Sequence, residues 1–178
     1  FMGVSVIGKA LLDQGFKVGI IAQPDTDSDK DISRLGEPEL FWGITGGAVD
    51  SMVANYTASG KFRKQDDYTP GGINNKRPDR AVIVYANLIR RFFKSTVPLV
   101  LGGIEASLRR IAHYDFWSNK IRRSILFDAK ADFLVFGMGH ITAPALASAL
   151  KRGQDPSPIP GIAYISKEKK GLELPPFE

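Results

Sequence analysis

Within 178 residues there is no cysteine, which excludes disulfides and thiolate-held metals inside this chain. An apolar share of 43% supports one packed core and excludes wholesale disorder; no apolar run approaches the ~20 residues of a membrane span, and no secretory leader is visible. The formal charge of +5 is concentrated, because residues 90–123 hold eight cations (Arg90, Arg91, Lys94, Arg109, Arg110, Lys120, Arg122, Arg123) against Glu105 and Asp115.

Residues 3–14 place Val4, Ile7, Leu11 and Leu12 at helical spacing, and Gly15 stands where a C-terminal cap belongs. Residues 17–22 read as a buried strand broken by Gln23-Pro24-Asp25. A polar loop follows into a short helix with Ser28 as its N-cap. Residues 40–45 read as the next strand, ending in Gly46-Gly47, and residues 50–59 as a helix. The polar stretch 61–80, with Pro70-Gly71-Gly72 and Arg77-Pro78-Asp79, has no periodicity, and a loop of that length inside a compact domain is usually functional or disordered. Asp79 is placed as the cap of a helix carrying Val82, Ile83, Ala86, Ile89 and Phe93. Residues 99–102 form an apolar strand that runs into Gly102-Gly103 and a helix-compatible segment. Residues 124–127 read as a short strand or extended crossover and 132–136 as a strand ended by Gly137-Met138-Gly139-His140. A helix over 142–151 holds Pro144 in its first turn; a turn-rich linker over 153–160 leads to a last strand at 161–166.

This alternation predicts parallel βα units in a three-layer α/β domain. Parallel strands end on one edge, where α/β sheets bind ligands. Five segments are therefore expected to converge there: 23–25, 45–47, 102–107, 113–117 and 137–140. The candidate ligand-binding residues are Asp25, Gly102, Gly103, Glu105, Ser107, Arg109, Arg110, His113, Asp115, Gly137 and Gly139. Glu105 leads them, since a carboxylate just past the central strand faces the crevice; a carboxylate favoured by a helix dipole is the ordinary alternative. His113 reads as a hydrogen-bonded structural histidine and Asp115 as a partner for Arg109 or Arg110. With two histidines and no cysteine, no metal site is expected.

Three functions compete. The basic segment, interleaved with Tyr114, Phe116 and Trp117, fits a nucleic-acid-binding module over Arg90–Arg123. Ser107, His113 and Asp115 offer a hydrolase's side chains, but without a Gly-x-Ser-x-Gly elbow, and on a helix His113 and Asp115 would not share a face. The third is an accessory α/β domain of a larger enzyme.

That third reading rests on a resemblance. Ile21-Ala22-Gln23-Pro24-Asp25, Asp50-Ser51-Met52, Asn55-Tyr56-Thr57-Ala58, Tyr68-Thr69-Pro70, Arg77-Pro78-Asp79-Arg80, the block Leu101–Trp117, Ser124-Ile125-Leu126, Ala131-Asp132 and Phe136-Gly137-Met138-Gly139 resemble the N-terminal domain of the YgiQ-like radical SAM proteins. The resemblance spans nearly the whole chain. It departs at His140, where related domains usually carry Glu, and the family has a strand and a polar loop ahead of the position of Phe1. It implies a Rossmann-like fold of the cobalamin-binding type with a mostly parallel sheet, residues 1–153 forming that domain and 154–178 the last strand and an exit linker. For the intact protein it implies a cytoplasmic enzyme, outside any membrane, whose [4Fe–4S] cluster and S-adenosylmethionine sit in a radical SAM domain later in the same polypeptide, acting on an unknown substrate. No cofactor is expected in the present chain. The implied role is to shape or cap the substrate site, with a phosphate-bearing small molecule or a corrinoid as the kind of ligand such a domain would hold.

Overall fold

The computed structural model describes residues 2–168. Thirteen elements follow one another there: α1 (Met2–Asp13), α2 (Lys30–Ser33), β1 (Trp42–Thr45), α3 (Ser51–Asn55), α4 (Ala81–Phe92), β2 (Leu99–Gly102), α5 (Gly103–Leu108), β3 (His113–Asp115), β4 (Lys120–Arg122), α6 (Ile125–Ala129), β5 (Phe133–Val135), α7 (Gly139–Lys151) and β6 (Ile162–Tyr164). The main sheet has the order β1-β2-β5-β6, and β3 and β4 form a separate antiparallel hairpin. β1, β2 and β5 are parallel, with Trp42 opposite Leu99 and Val100 opposite Phe133; β6 runs antiparallel to β5. The sheet is mostly parallel, as expected.

Side-chain alternation along the strands builds the layers. Trp42, Ile44, Leu99, Leu101 and Leu134 point to one face and pack with Val82, Ala86 and Ile89 of α4 and Leu126 of α6. Val100 and Val135 point to the other face, against Leu146 of α7. α1 packs on α7, and Gly139 lets the two approach, with Ile7 Cδ1 3.2 Å from where a Cβ would stand. α1 ends as its sequence predicts: the Phe16 N–H reaches back to the Leu11 carbonyl, with Gly15 at φ 81°.

Several local expectations are corrected. Residues 17–22 are not a strand. Ile21 packs on the core, but Ile20 is 53% exposed and no neighbouring backbone pairs with the segment among the described residues. Strand propensity favours an extended chain, whereas a strand also needs a ladder partner. Residues 124–127 open α6, with the Ser124 hydroxyl accepting the Leu126 N–H as its N-cap. Ser28 caps nothing: its hydroxyl donates to Asp25, and Asp29 takes the N-cap position. Asp79 does not cap α4 either. That position belongs to Arg80, in left-handed backbone at φ 54°. α7 begins three residues earlier than predicted, so Pro144 lies inside it and leaves the His140 carbonyl without an intrahelical donor. The helix-compatible run after Gly103 stops at Leu108, and His113–Asp115 is a strand. The last strand expected at 161–166 is β6 (Ile162–Tyr164), paired with β5, and of the exit linker residues 169–178 lie outside the described residues.

Candidate functional site

β1, β2 and β5 end on one edge, and the turns beyond them touch. A Cβ at Gly46 would stand 2.5 Å from Glu105 Oε2, and one at Gly103 would collide with the Thr45 hydroxyl, where Gly103 also holds φ 77°. Close approach requires glycine at both positions, and at Gly103 the left-handed backbone requires it as well.

Glu105 sits beneath this edge, 2% exposed. One carboxylate oxygen accepts the Ser51 N–H at 2.8 Å and the other the Val82 N–H at 3.1 Å. These donors belong to the first turns of α3 and α4, whose positive dipole ends meet at the same carboxylate. Ser51 extends the joint by accepting the Ala81 N–H at 2.9 Å. Glu105 therefore ties two helices other than its own to the end of β2, and both of its oxygens are occupied by the protein.

Around this joint lies a polar network drawn largely from the long loop. Asp50 accepts the Met52 N–H as the cap of α3 and pairs with Arg109. Arg80 grips Asp115 with two guanidinium nitrogens, at 3.2 and 2.8 Å, which holds the left-handed backbone that starts α4. Asp79 accepts from Asn55 and from the Tyr56 hydroxyl, each at 2.8 Å. Arg77 pairs with Asp66 at 2.6 Å with both side chains buried; Thr69 donates to Asp66 and accepts from Gln23. Burial pushes the Asp115 carboxyl up, but Arg80 and Ser118 outweigh it and hold the group well below the usual carboxylate range. Asp66 behaves alike, its burial outweighed by Arg77 and Thr69. The hydrogen bond to Asp79 raises the Tyr56 hydroxyl.

Two cavities open beside the network. One of about 640 Å³ lies between Val49, Val53 and Ala54 and the loop residues Arg63, Lys64 and Tyr68. The other, of about 250 Å³, is walled by Tyr114, Phe116 and Trp117 with Leu108, His113 and the Arg109–Asp50 pair. Val53 lines both. Four rings run along this side: Phe62 against Tyr56, Tyr56 against Trp117, and Trp117 against Phe116, with centroids 5.6, 5.2 and 5.4 Å apart.

Of the candidate residues, Arg109, His113 and Asp115 line the smaller cavity, and Glu105 supports it from below. Gly102 and Gly103 form the turn above β2, and the Ser107 carbonyl accepts from Arg110, whose guanidinium lies 5.1 Å from the Phe136 ring centroid. Gly137 turns the chain at φ 74°, and Gly139 serves the contact with α1. Asp25 stays apart: its hydrogen bonds lie within its own loop, to Ser28, the Asp27 N–H and the α2 residue Asp31. Asp115 pairs with Arg80 rather than with Arg109 or Arg110. On a strand, moreover, His113 and Asp115 do share a face, but Ser107 makes no contact with either that would build a nucleophile. Four of the eight cations of 90–123 pair with carboxylates: Arg90 with Asp132, Arg109 with Asp50, and Arg122 and Arg123 with Asp128. The residues missed by sequence reasoning are Asp50, Asn55, Asp66, Arg77 and Arg80. The signal was present, since all but Asp66 lie in segments that carry the family resemblance. Among the described residues no three His, Asp or Glu side chains gather as a metal would need, and none of their helices is long and apolar enough to cross a membrane.

The comparisons with known proteins agree with this architecture. A family model described as "Radical SAM N-terminal" matches residues 1–178. UPF0313 protein FN0734 of Fusobacterium nucleatum is 62% identical over 178 residues, covering 98% of this chain and 31% of that relative. A UPF0313 protein of Thermotoga maritima is 59% identical over 181 residues, with 99% and 32% covered. The chain thus spans about a third of the length of these curated relatives. Among solved structures, the radical S-adenosylmethionine methyltransferase TsrM of Kitasatospora setae, with cobalamin and a [4Fe–4S] cluster bound, superposes with a TM-score of 0.61 at 20% identity, over 93% of this chain and 26% of that one. This likeness is one of fold.

Proposed function

The chain belongs to the radical SAM N-terminal family, and on that premise we propose that it is the accessory domain of a [4Fe–4S]-dependent radical SAM enzyme, shaping or capping that enzyme's substrate site with the edge at which β1, β2 and β5 end. The observation that carries this reading is the apolar surface left on that edge. Ile104 and Leu108 of α5, Met138 after β5 and Ile141 of α7 are each more than half exposed. They lie on the segments that follow two adjacent parallel strands, and side chains of this kind call for cover by another surface. The remaining two thirds of the polypeptide supplies that cover. In this reading residues 1–153 are assigned to the accessory domain and 154–178 to its last strand and the linker to the radical SAM domain, with β6 (Ile162–Tyr164) closing the sheet.

A cluster does not fit this chain's own donors. Clusters are held by thiolates, and the chain has none, so their place is in the remaining polypeptide. The chemistry that a cluster and S-adenosylmethionine supply, reductive formation of a carbon-centred radical, is likewise the work of that domain. Here the α5 edge excludes water above the site, and the joint at Glu105 keeps α3, α4 and the end of β2 in fixed register.

The test uses the full-length protein, reconstituted anaerobically with iron and sulfide. Cluster absorbance and cleavage of S-adenosylmethionine to 5′-deoxyadenosine are expected. Leu108→Asp with Met138→Asp should leave the cluster absorbance in place while exposing the junction between the domains to protease. A full-length protein that takes up no cluster would overturn the radical SAM reading. Unchanged protease resistance and unchanged cleavage in the double variant would overturn the capping role.

A further inference from the structure

The two cavities that meet at Val53 differ in chemistry, and the difference specifies a ligand. The smaller is aromatic. Tyr114 and Phe116 are more than half exposed, and Trp117 stands behind them. Its charged side chains are paired, Asp50 with Arg109 and Asp115 with Arg80, and the polar side chain left on its wall is His113. The His113 Nδ1 lies 3.1 Å from the Ile111 carbonyl. A carbonyl oxygen only accepts, so Nδ1 carries a proton, and in that tautomer Nε2 is the acceptor. That Nε2 is buried and has no hydrogen-bond partner. A buried acceptor without a partner costs about 1–3 kcal/mol, so the position favours a ring that brings an N–H donor.

The larger cavity is polar and cationic. Two of the carboxylates on its rim and on its neighbour's are already neutralised, Asp66 by Arg77 and Asp50 by Arg109. Arg63 and Lys64 remain against Asp67. Arg63 spends only its Nε–H, on the Tyr56 carbonyl. Lys64 has no ion-pair or hydrogen-bond partner for its ammonium among the described residues. An anionic group is what this half would hold.

We propose that the joined crevice binds a nucleoside phosphate, its base among Tyr114, Phe116 and Trp117 with an N–H directed at His113 Nε2, and its phosphate beside Lys64 and Arg63. A base stacked on aromatic side chains gains about 1–3 kcal/mol, and the volumes of about 250 and 640 Å³ accommodate a base in one half and a sugar phosphate in the other.

Of this chain's two tryptophans, Trp42 is buried in the core and Trp117 lines the crevice, so the part of the quench that Trp117→Phe removes reads this site. The experiment titrates the full-length protein with GMP, guanosine and inorganic phosphate in turn, with saturating S-adenosylmethionine in every arm so that its own site is filled. GMP is expected to quench saturably and to bind about tenfold more tightly than guanosine, a margin of ~1.4 kcal/mol. Lys64→Ala with Arg63→Gln, both on exposed loop positions, should bring GMP down to guanosine's affinity. His113→Leu should weaken GMP and guanosine together, and Trp117→Phe should remove the signal. The proposal is overturned if GMP gives no saturable quench, if GMP and guanosine bind alike, or if the cation variants leave GMP binding unchanged. It is overturned equally if a single-stranded oligonucleotide binds far more tightly with a steep salt dependence, which would make the crevice part of a nucleic-acid surface. Fluorescence reports the crevice whether or not a cluster assembles, so failure here and failure of the radical SAM reading are separate results.

Discussion

Glu105→Gln changes one oxygen of a buried carboxylate to an amide nitrogen and leaves the side chain's volume almost unaltered. The carboxylate accepts two backbone N–H groups, from Ser51 at 2.8 Å and Val82 at 3.1 Å, at the starts of two helices. The amide oxygen keeps one of these bonds, while the NH₂ faces the other donor. A hydrogen bond to a charged acceptor, about 1.5–3 kcal/mol, is lost and a buried N–H is stranded. The charge also leaves two helix dipoles, each about 0.3–1 kcal/mol, and relief of the buried charge offsets part of the sum. The expected net cost is about 3 kcal/mol, or ~6–12 °C in Tm for a domain of this size. Glu105→Ala should cost about 3–5 kcal/mol, because both donors lose their acceptor and a cavity opens. Gly46 supplies an internal check. A Cβ there would stand 2.5 Å from Glu105 Oε2, so Gly46→Ala should cost about 1–3 kcal/mol alone and at least ~1 kcal/mol less in the Glu105→Ala background. Urea unfolding followed by Trp42 fluorescence and by circular dichroism measures all four; coincidence of the two probes tests two-state behaviour. A Glu105→Gln protein within about 0.5 kcal/mol of the parent, with additive behaviour at Gly46, would refute the joint.

Arg77→Met leaves the buried Asp66 carboxylate without its cation and should cost about 3–5 kcal/mol; Arg77→Met with Asp66→Asn should recover much of it, read by the same unfolding curves. Acid sensitivity should come from Asp66, Asp115 and Asp128, all held below the usual carboxylate range by arginine partners despite burial. Their contribution is fully present above the unfolded value near ~4 and is lost as pH falls through the lower folded values. Asp115→Asn should therefore flatten the fall in Tm below pH ~4, and an unchanged profile would exclude Asp115 as a source. At the alkaline end, burial pushes the Tyr85 hydroxyl up to about 12. The folded state then keeps a proton that the unfolded chain gives up near pH ~10, so stability present below that pH is lost as pH rises toward 12. Tyr85→Phe should remove that slope.

The family was legible in blocks of sequence, and the layered fold in the alternation of apolar strands with amphipathic helices. Residues 99–102 are buried because a parallel strand covered on both faces needs apolar side chains on both, and three consecutive apolar residues before Gly102 express that need locally. Gly15 announced the end of α1 for the same local reason. The absence of thiols, too, is a property of the sequence alone. Other features were decided at a distance. Arg80 and Asp115 are 35 residues apart and Asp50 and Arg109 are 59 apart, and nothing in a window of ten residues says which carboxylate an arginine will meet. Strands of three residues, such as His113–Asp115, are too short for a period of two to show against a helical reading. Residues 17–22 carry the composition of a strand, yet a ladder requires a second backbone, and composition does not supply one. Glu105 joins both cases. Its place after Gly102-Gly103 was visible, and a carboxylate there invites a reading as a ligand group. Only the packing of α3 and α4 against the end of β2 brings two helix starts to its oxygens and makes it the buried fastening of the domain, because that assignment depends on backbone donors 54 and 23 residues away.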